Sequence, residues 1–139
     1  MMNASRAQLV EEVIRPALMR GEVVVCDRFA DSTLAYQGGG RGLDLDALGS
    51  VISFATAGLT PTMTILLDLP VEVGLARKRT AGDWNRFDAE AVAFHERVRA
   101  AYHALAGAAP ERWHCVNAEQ PPDVVAEDIW RRVAAHLGL

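Results

Sequence analysis

The sequence predicts an α/β fold in which a small parallel sheet is flanked by helices. Short continuous apolar runs at residues 23–26, 63–69 and 113–116 read as strands buried on both faces. Longer segments with apolar spacings of three and four read as helices, and they separate those runs. Strands that alternate with helices in this way build parallel sheets through right-handed crossovers.

The bulk properties fit one globular domain over residues 1–139. Half of the residues are hydrophobic and 23% are charged, which is ordinary for a soluble protein. A net charge of -4 argues against nucleic acid and membrane surfaces as partners. Cys26 and Cys115 fall in apolar runs, so buried thiols in a reducing cytosol are expected rather than a disulfide. The four histidines are scattered and no zinc-ligand spacing occurs. No apolar run approaches the roughly 18 residues of a membrane span, and no signal peptide is evident, so a cytoplasmic location is expected.

In chain order, residues 3–20 read as a helix with Leu9, Val10, Val13, Ile14, Ala17 and Leu18 on its apolar face. Asn3 suits its start and Gly21 its stop, while Pro16 should bend it by removing a backbone donor. The strand at 23–26 follows. Residues 43–59 read as a helix started by Asp44 or Asp46 and ended at Gly58, with Leu45, Leu48, Val51, Ile52 and Ala55 inward. The strand at 63–69 reaches Asp68 and stops at Pro70. A helix at 71–79 ends in the basic run Arg77-Lys78-Arg79, and a loop to Arg86 carries Gly82, Asp83 and Asn85. A helix at 89–105 and the strand at 113–116 come next. Pro121 and Pro122 then open a last helix with Val124, Val125, Ile129, Val133 and Leu137 inward.

The chemistry concentrates where the first predicted strand ends. Ligands of open α/β sheets bind beyond the carboxyl ends of the strands, and Asp27 and Arg28 stand at such an end. The planar fork of Arg28 suits a phosphate, and Asp27 suits a hydrated Mg²⁺ or a proton. An ordinary strand-end ion pair explains the same two residues equally well. Tyr36 and Gln37 can read a planar heterocycle by stacking and paired hydrogen bonds, or serve only packing. Arg77, Lys78, Arg79 and Arg86 flank a second loop, which suits a polyanion but also describes a solvated helix face. The Gly38-Gly39-Gly40-Arg41-Gly42 run reads as a tight turn, since no Gly-x-x-x-x-Gly-Lys-Ser/Thr occurs in these residues.

Together these residues resemble bacterial thymidylate kinases. The resemblance rests on the helix around Arg6, on Asp27-Arg28-Phe29, and on Ser32-Thr33-Leu34-Ala35-Tyr36-Gln37-Gly38-Gly39-Gly40-Arg41-Gly42. It continues through Leu66-Leu67-Asp68-Leu69-Pro70, then Arg77, Arg79, Arg86 and Phe87, and runs in order nearly to the end. It implies a P-loop-type nucleoside monophosphate kinase fold with a lid around residues 77–87. It also implies the reaction ATP + dTMP → ADP + dTDP with Mg²⁺ as cofactor. Arg28 would hold the dTMP phosphate, and Asp27 would order the Mg²⁺ water shell. Arg6 would donate to a thymine carbonyl, Thr33 and Gln37 would border the base, and Tyr36 would favour deoxyribose. Arg77, Arg79 and Arg86 would close over ATP, with Arg79 taking a catalytic part. A homodimer through the helices at 9–18 or 44–57 is a further implication.

Two departures from the family pattern qualify these expectations. The phosphate-binding loop and a first strand, which lies between the strands at 23 and 63 in the family fold, have no counterpart in this sequence. The chain is therefore expected to be truncated at its N-terminus and inactive alone, with a non-catalytic dTMP-binding remnant as the alternative. Locally, Ala81 stands where bacterial relatives often carry a lid arginine, and Met2 stands in place of a base-stacking aromatic.

Overall fold

The computed structural model describes residues 2–78 and 86–139, with side chains described for 3–77 and 91–139. The chain forms two compact units, Met1–Thr60 and Pro61–Leu139.

The first unit is helical. Helix α1 (Met2–Leu9) runs on through a π-helical turn (Val10–Ile14) into α2 (Arg15–Met19). The wide turn is closed by the Arg15 N–H donating to the Val10 carbonyl, and it lies just before Pro16. In a regular α-helix the Pro16 ring would crowd the carbonyl four residues back, so widening the preceding turn relieves that contact. Helix α3 (Ala30–Thr33) likewise passes into a π-helical stretch (Leu34–Gly40). Helix α4 (Leu45–Thr56) is capped by Asp44, whose carboxylate accepts from the Ala47 N–H at 2.7 Å. It ends with Ala57 and Gly58 at positive φ, and the Gly58 N–H returns to the Ser53 carbonyl at 2.9 Å. Val10, Ile14, Ala17, Ala35, Ile52 and Ala55 form the core of this unit.

The second unit carries the sheet. Strands β1 (Thr64–Asp68) and β2 (Trp113–Asn117) pair in parallel, in register from Thr64 with Trp113 to Asp68 with Asn117. Helices α5 (Val71–Lys78) and α6 (Arg86–Ala108) join them as the crossover, and α7 (Pro122–Leu137) packs on β2. Val71, Val98, Trp113 and Val116 are its buried apolar residues.

Several expectations need correction. Residues 23–26 form no strand: Val23 and Val25 are exposed, at 65% and 92%, because no described strand pairs with this run. Cys26 and Cys115 are free and exposed rather than buried. Leu9, Val13, Leu18, Leu45, Val51, Val124 and Leu137 lie on the predicted inward faces yet are exposed. Gly38, Gly39 and Gly40 continue the π-helical stretch, and only Gly42 of the glycine run takes a positive φ, +73°. Gly38 serves close approach instead, because a Cβ there would overlap the Leu45 side chain. No described helix is long and apolar enough to cross a membrane.

Candidate functional site

The residues singled out in the first unit meet at the start of α3. Arg6, on α1, is only 7% exposed. One terminal nitrogen donates to Asn3 Oδ1 at 2.6 Å, and the other to the Phe29 carbonyl at 3.1 Å and to Thr33 Oγ1 at 3.0 Å. Its guanidinium also lies 5.7 Å from the Phe29 ring centroid. Burial lowers the Arg6 pKa from its ordinary value, opposed by the charges of Cys26 and Asp31. These bonds occupy three of the five donors of a guanidinium, so a base carbonyl can use only the remaining two.

Arg28 precedes that turn. Its side chain is exposed and stacks on Tyr36 at 4.4 Å from the ring centroid. Its backbone stands at φ +61°, a conformation that costs a non-glycine residue about 1 kcal/mol or more. Asp27 is exposed beside it. Thr33 is buried, while Tyr36 and Gln37 are half-buried on the following π-helical stretch. The structure therefore joins Arg6 to Thr33 and Arg28 to Tyr36 along one short segment, residues 28–36, with Asp27 and Gln37 adjacent to it in sequence.

The expected ATP-side residues belong to the second unit. Arg77 donates to the carbonyls of Ala118 and Glu119 at 2.8 and 3.4 Å, which ties α5 to the turn after β2. The side chains of Arg79 and Arg86 lie outside the described residues, as do those of Ala81 and Met2.

Two arrangements carry weak or no sequence signal. Asn3, read from the sequence as a cap, holds Arg6 instead; the Asn-x-x-Arg spacing on one helix face is the available clue. Asp68, at the carboxyl end of β1, receives both Nε and a terminal nitrogen of Arg99 at 2.8 and 3.0 Å, with His103 Nε2 at 3.1 Å. The Arg99 bonds foremost, and the His103 charge, hold the Asp68 pKa below its ordinary value against partial burial. Arg99 and His103 stand four apart and so share a face of α6, but nothing local joins them to Asp68.

An open cleft of about 540 Å³ is lined by residues of β2 and α7, among them His114, Asp128, Arg131 and Arg132. Arg131 and Arg132 both turn to Asp128, at 3.4 and 3.3 Å, so they form a surface ion-pair network. None of the sequence-selected residues lines it. Among the described residues no group of three or more His, Cys, Asp or Glu side chains is arranged to hold a metal ion.

A parallel β–α–α–β crossover in one unit, and in the other a helical turn held by Arg6 with Arg28 exposed ahead of it, define an α/β protein with a candidate site for an anion. A family profile described as thymidylate kinase matches residues 1–129. A protein named thymidylate kinase from Thermomicrobium roseum is 55% identical over 134 residues, covering 96% of this chain and 64% of the relative. One of the same name from Desulfovibrio desulfuricans is 54% identical over 141 residues, covering 96% and 65%. A third, from Deinococcus radiodurans, is 49% identical over 132 residues, covering 95% and 64%. The chain belongs to the thymidylate kinase family, whose fold is the P-loop-type nucleoside monophosphate kinase fold. It spans just under two thirds of the length of these relatives.

Proposed function

We propose that this chain provides the dTMP-binding side of a thymidylate kinase, which transfers a phosphoryl group from ATP to dTMP and yields dTDP. The observation that carries this reading is the pair of contacts on one short segment, Arg6 with Thr33 and Arg28 with Tyr36. Arg28 presents an exposed guanidinium, the side chain best suited to fork onto a phosphate. Tyr36 beside it would limit the room available to a sugar, and the half-buried Gln37 would border the base edge together with Thr33, whose hydroxyl oxygen accepts from Arg6. Phosphoryl transfer asks mainly for positioning and charge neutralisation, and an arginine at the acceptor phosphate supplies both. Arg77, Arg79 and Arg86 would act on the ATP side, with Arg79 taking a catalytic part.

The donor set tests the role of Mg²⁺. No described cluster builds a direct metal cage, whereas Asp27 is a lone exposed carboxylate. That fits outer-sphere binding, because Mg²⁺ keeps several of its waters and is commonly held through one or two carboxylates and substrate phosphates. When bound, the ion would offset charge on the phosphates; Asp27 would orient its water shell.

The second reading, dTMP binding without turnover, is favoured by Arg77, whose guanidinium is engaged by the Ala118 and Glu119 carbonyls. Calorimetric titration with dTMP and a turnover assay with ATP separate the readings. Both expect dTMP to bind, and Arg28→Ala to weaken it about tenfold or more, a loss of roughly 1.4 kcal/mol. Thymidine, which lacks the phosphate, should bind more weakly and be insensitive to Arg28→Ala. Absence of dTMP binding by the wild type would sink both. A homodimer through the exposed apolar faces of the first unit belongs to the same proposal.

A further inference from the structure

Arg6 does more than face a base: we propose that it is a positioning residue that sets the geometry of the Arg28 phosphate fork through the carbonyl of Phe29. This rests on the dTMP-side reading above. Arg6 donates from one nitrogen to both the Phe29 carbonyl and Thr33 Oγ1, the residue before α3 and the last residue of that helix. One side chain thereby grips both ends of a single four-residue turn. Arg28 stands immediately before this turn and Tyr36 follows it on the π-helical stretch. Their cation–π stack at 4.4 Å spans the gripped segment.

The strained backbone gives the grip a purpose. A non-glycine residue at φ +61° persists only where its surroundings over-determine it. The Phe29 carbonyl lies one peptide beyond the bonds that flank the Arg28 Cα, so holding it anchors the segment into which the strained residue leads. Burying a guanidinium carries a desolvation cost that its bonds must offset. Asn3 completes the arrangement by holding the other terminal nitrogen at 2.6 Å.

Arg6→Lys keeps the positive charge but loses the planar fork, so it cannot serve Asn3, Phe29 and Thr33 together. Two measurements test the proposal. The first needs no ligand: by NMR, the Arg28 side-chain protons near the Tyr36 ring should show ring-current shifts in the wild type. Those shifts should collapse in Arg6→Lys, while the Val10 and Ile14 methyl signals show that the core is retained. The second is a double-mutant cycle on dTMP affinity with Arg28→Ala. Arg6→Lys should weaken dTMP about tenfold in the wild type, and far less when Arg28 is already absent. A side chain that only touches the base would give the same loss in both backgrounds. Arg28 signals left at their wild-type positions in folded Arg6→Lys, or additive losses in the cycle, would overturn the proposal. Should Arg6→Lys fail to fold, Asn3→Ala decides the question, since it frees one nitrogen without touching the buried charge. It should reduce the Arg28 ring-current shifts in the same direction, and unchanged shifts would again overturn the inference. A wild type that binds no dTMP would defeat the dTMP-side reading, and the ligand-free measurement would still decide the role of Arg6.

Discussion

Arg28 joins two properties that ordinarily conflict. It is the residue proposed to meet a phosphate, and its backbone occupies the left-handed region at φ +61°. Stability and function should therefore separate there. Arg28→Gly and Arg28→Ala both remove the guanidinium and its stack on Tyr36, so they differ only in the Cβ. At this φ the Cβ costs about 1 kcal/mol or more, and glycine is free of that cost. Arg28→Gly is expected to be more stable than Arg28→Ala by about 1 kcal/mol in urea unfolding, with dTMP binding equally weak in both. At an ordinary φ the order reverses, because glycine gives the unfolded chain more freedom. Finding alanine the more stable of the two would remove the case for strain. Nothing in the sequence marks this strain, since arginine has no special preference for positive φ; Asp27-Arg28 shows the chemistry and hides the backbone.

At the scale of elements, legibility follows from how local the determining interaction is. Strands β1 and β2 and helices α4 and α7 announce themselves through continuous apolar runs, Asp44 as a cap and Pro122 at a helix start. Residues 23–26 carry the same apolar signal as β1, yet form no strand, because a strand is completed by a neighbour and composition cannot report one. The ion pair from Asp68 to Arg99 spans 31 residues of chain, so no local pattern contains it. That pair joins β1 to α6 and has a defined pH dependence. The Arg99 bonds lower the folded-state pKa of Asp68. Its contribution is therefore complete above the unfolded carboxylate value of about 3.9 and is lost as the pH falls through the lower folded value. Trp113 and Trp130 lie in the second unit and the third tryptophan, at position 84, falls between residues 61 and 139 in sequence, so tryptophan fluorescence reads the affected region. Asp68→Asn should cost about 2 kcal/mol near neutral pH, a typical value for charge-assisted bonds. The gap between variant and wild type should close as the pH drops below about 4. A gap that stays constant into acid would show that the ionised pair contributes nothing.

Among the described residues, large apolar side chains stand exposed on the same helices that build the core of the first unit. The first unit buries Val10, Ile14, Ala17, Ile52 and Ala55, but the same helices expose Val13 at 54%, Val51 at 51% and Phe54 at 90%. Helical periodicity records spacing and not neighbours, so it could not tell which residues of an apolar face are covered, and it placed Val13 and Val51 inward where the structure exposes them. Single exposed apolar residues are common, but a phenylalanine this open on a helix beside an exposed valine marks a candidate interaction surface. A second copy of the chain is the occupant proposed here, through helix-to-helix contact of the first unit. The wild type should then sediment at about twice its 15.1 kDa chain mass at micromolar concentrations. Phe54→Asp places a charge on the contact without touching Ile52 or Ala55, which are buried on other faces of the same helix. It should shift the equilibrium to monomer, since one unpaired charge desolvated in an apolar interface costs several kcal/mol. Its circular dichroism should match the wild type. A wild type that remains monomeric at tens of micromolar, or a Phe54→Asp variant that sediments unchanged as a dimer, would exclude this face as the contact.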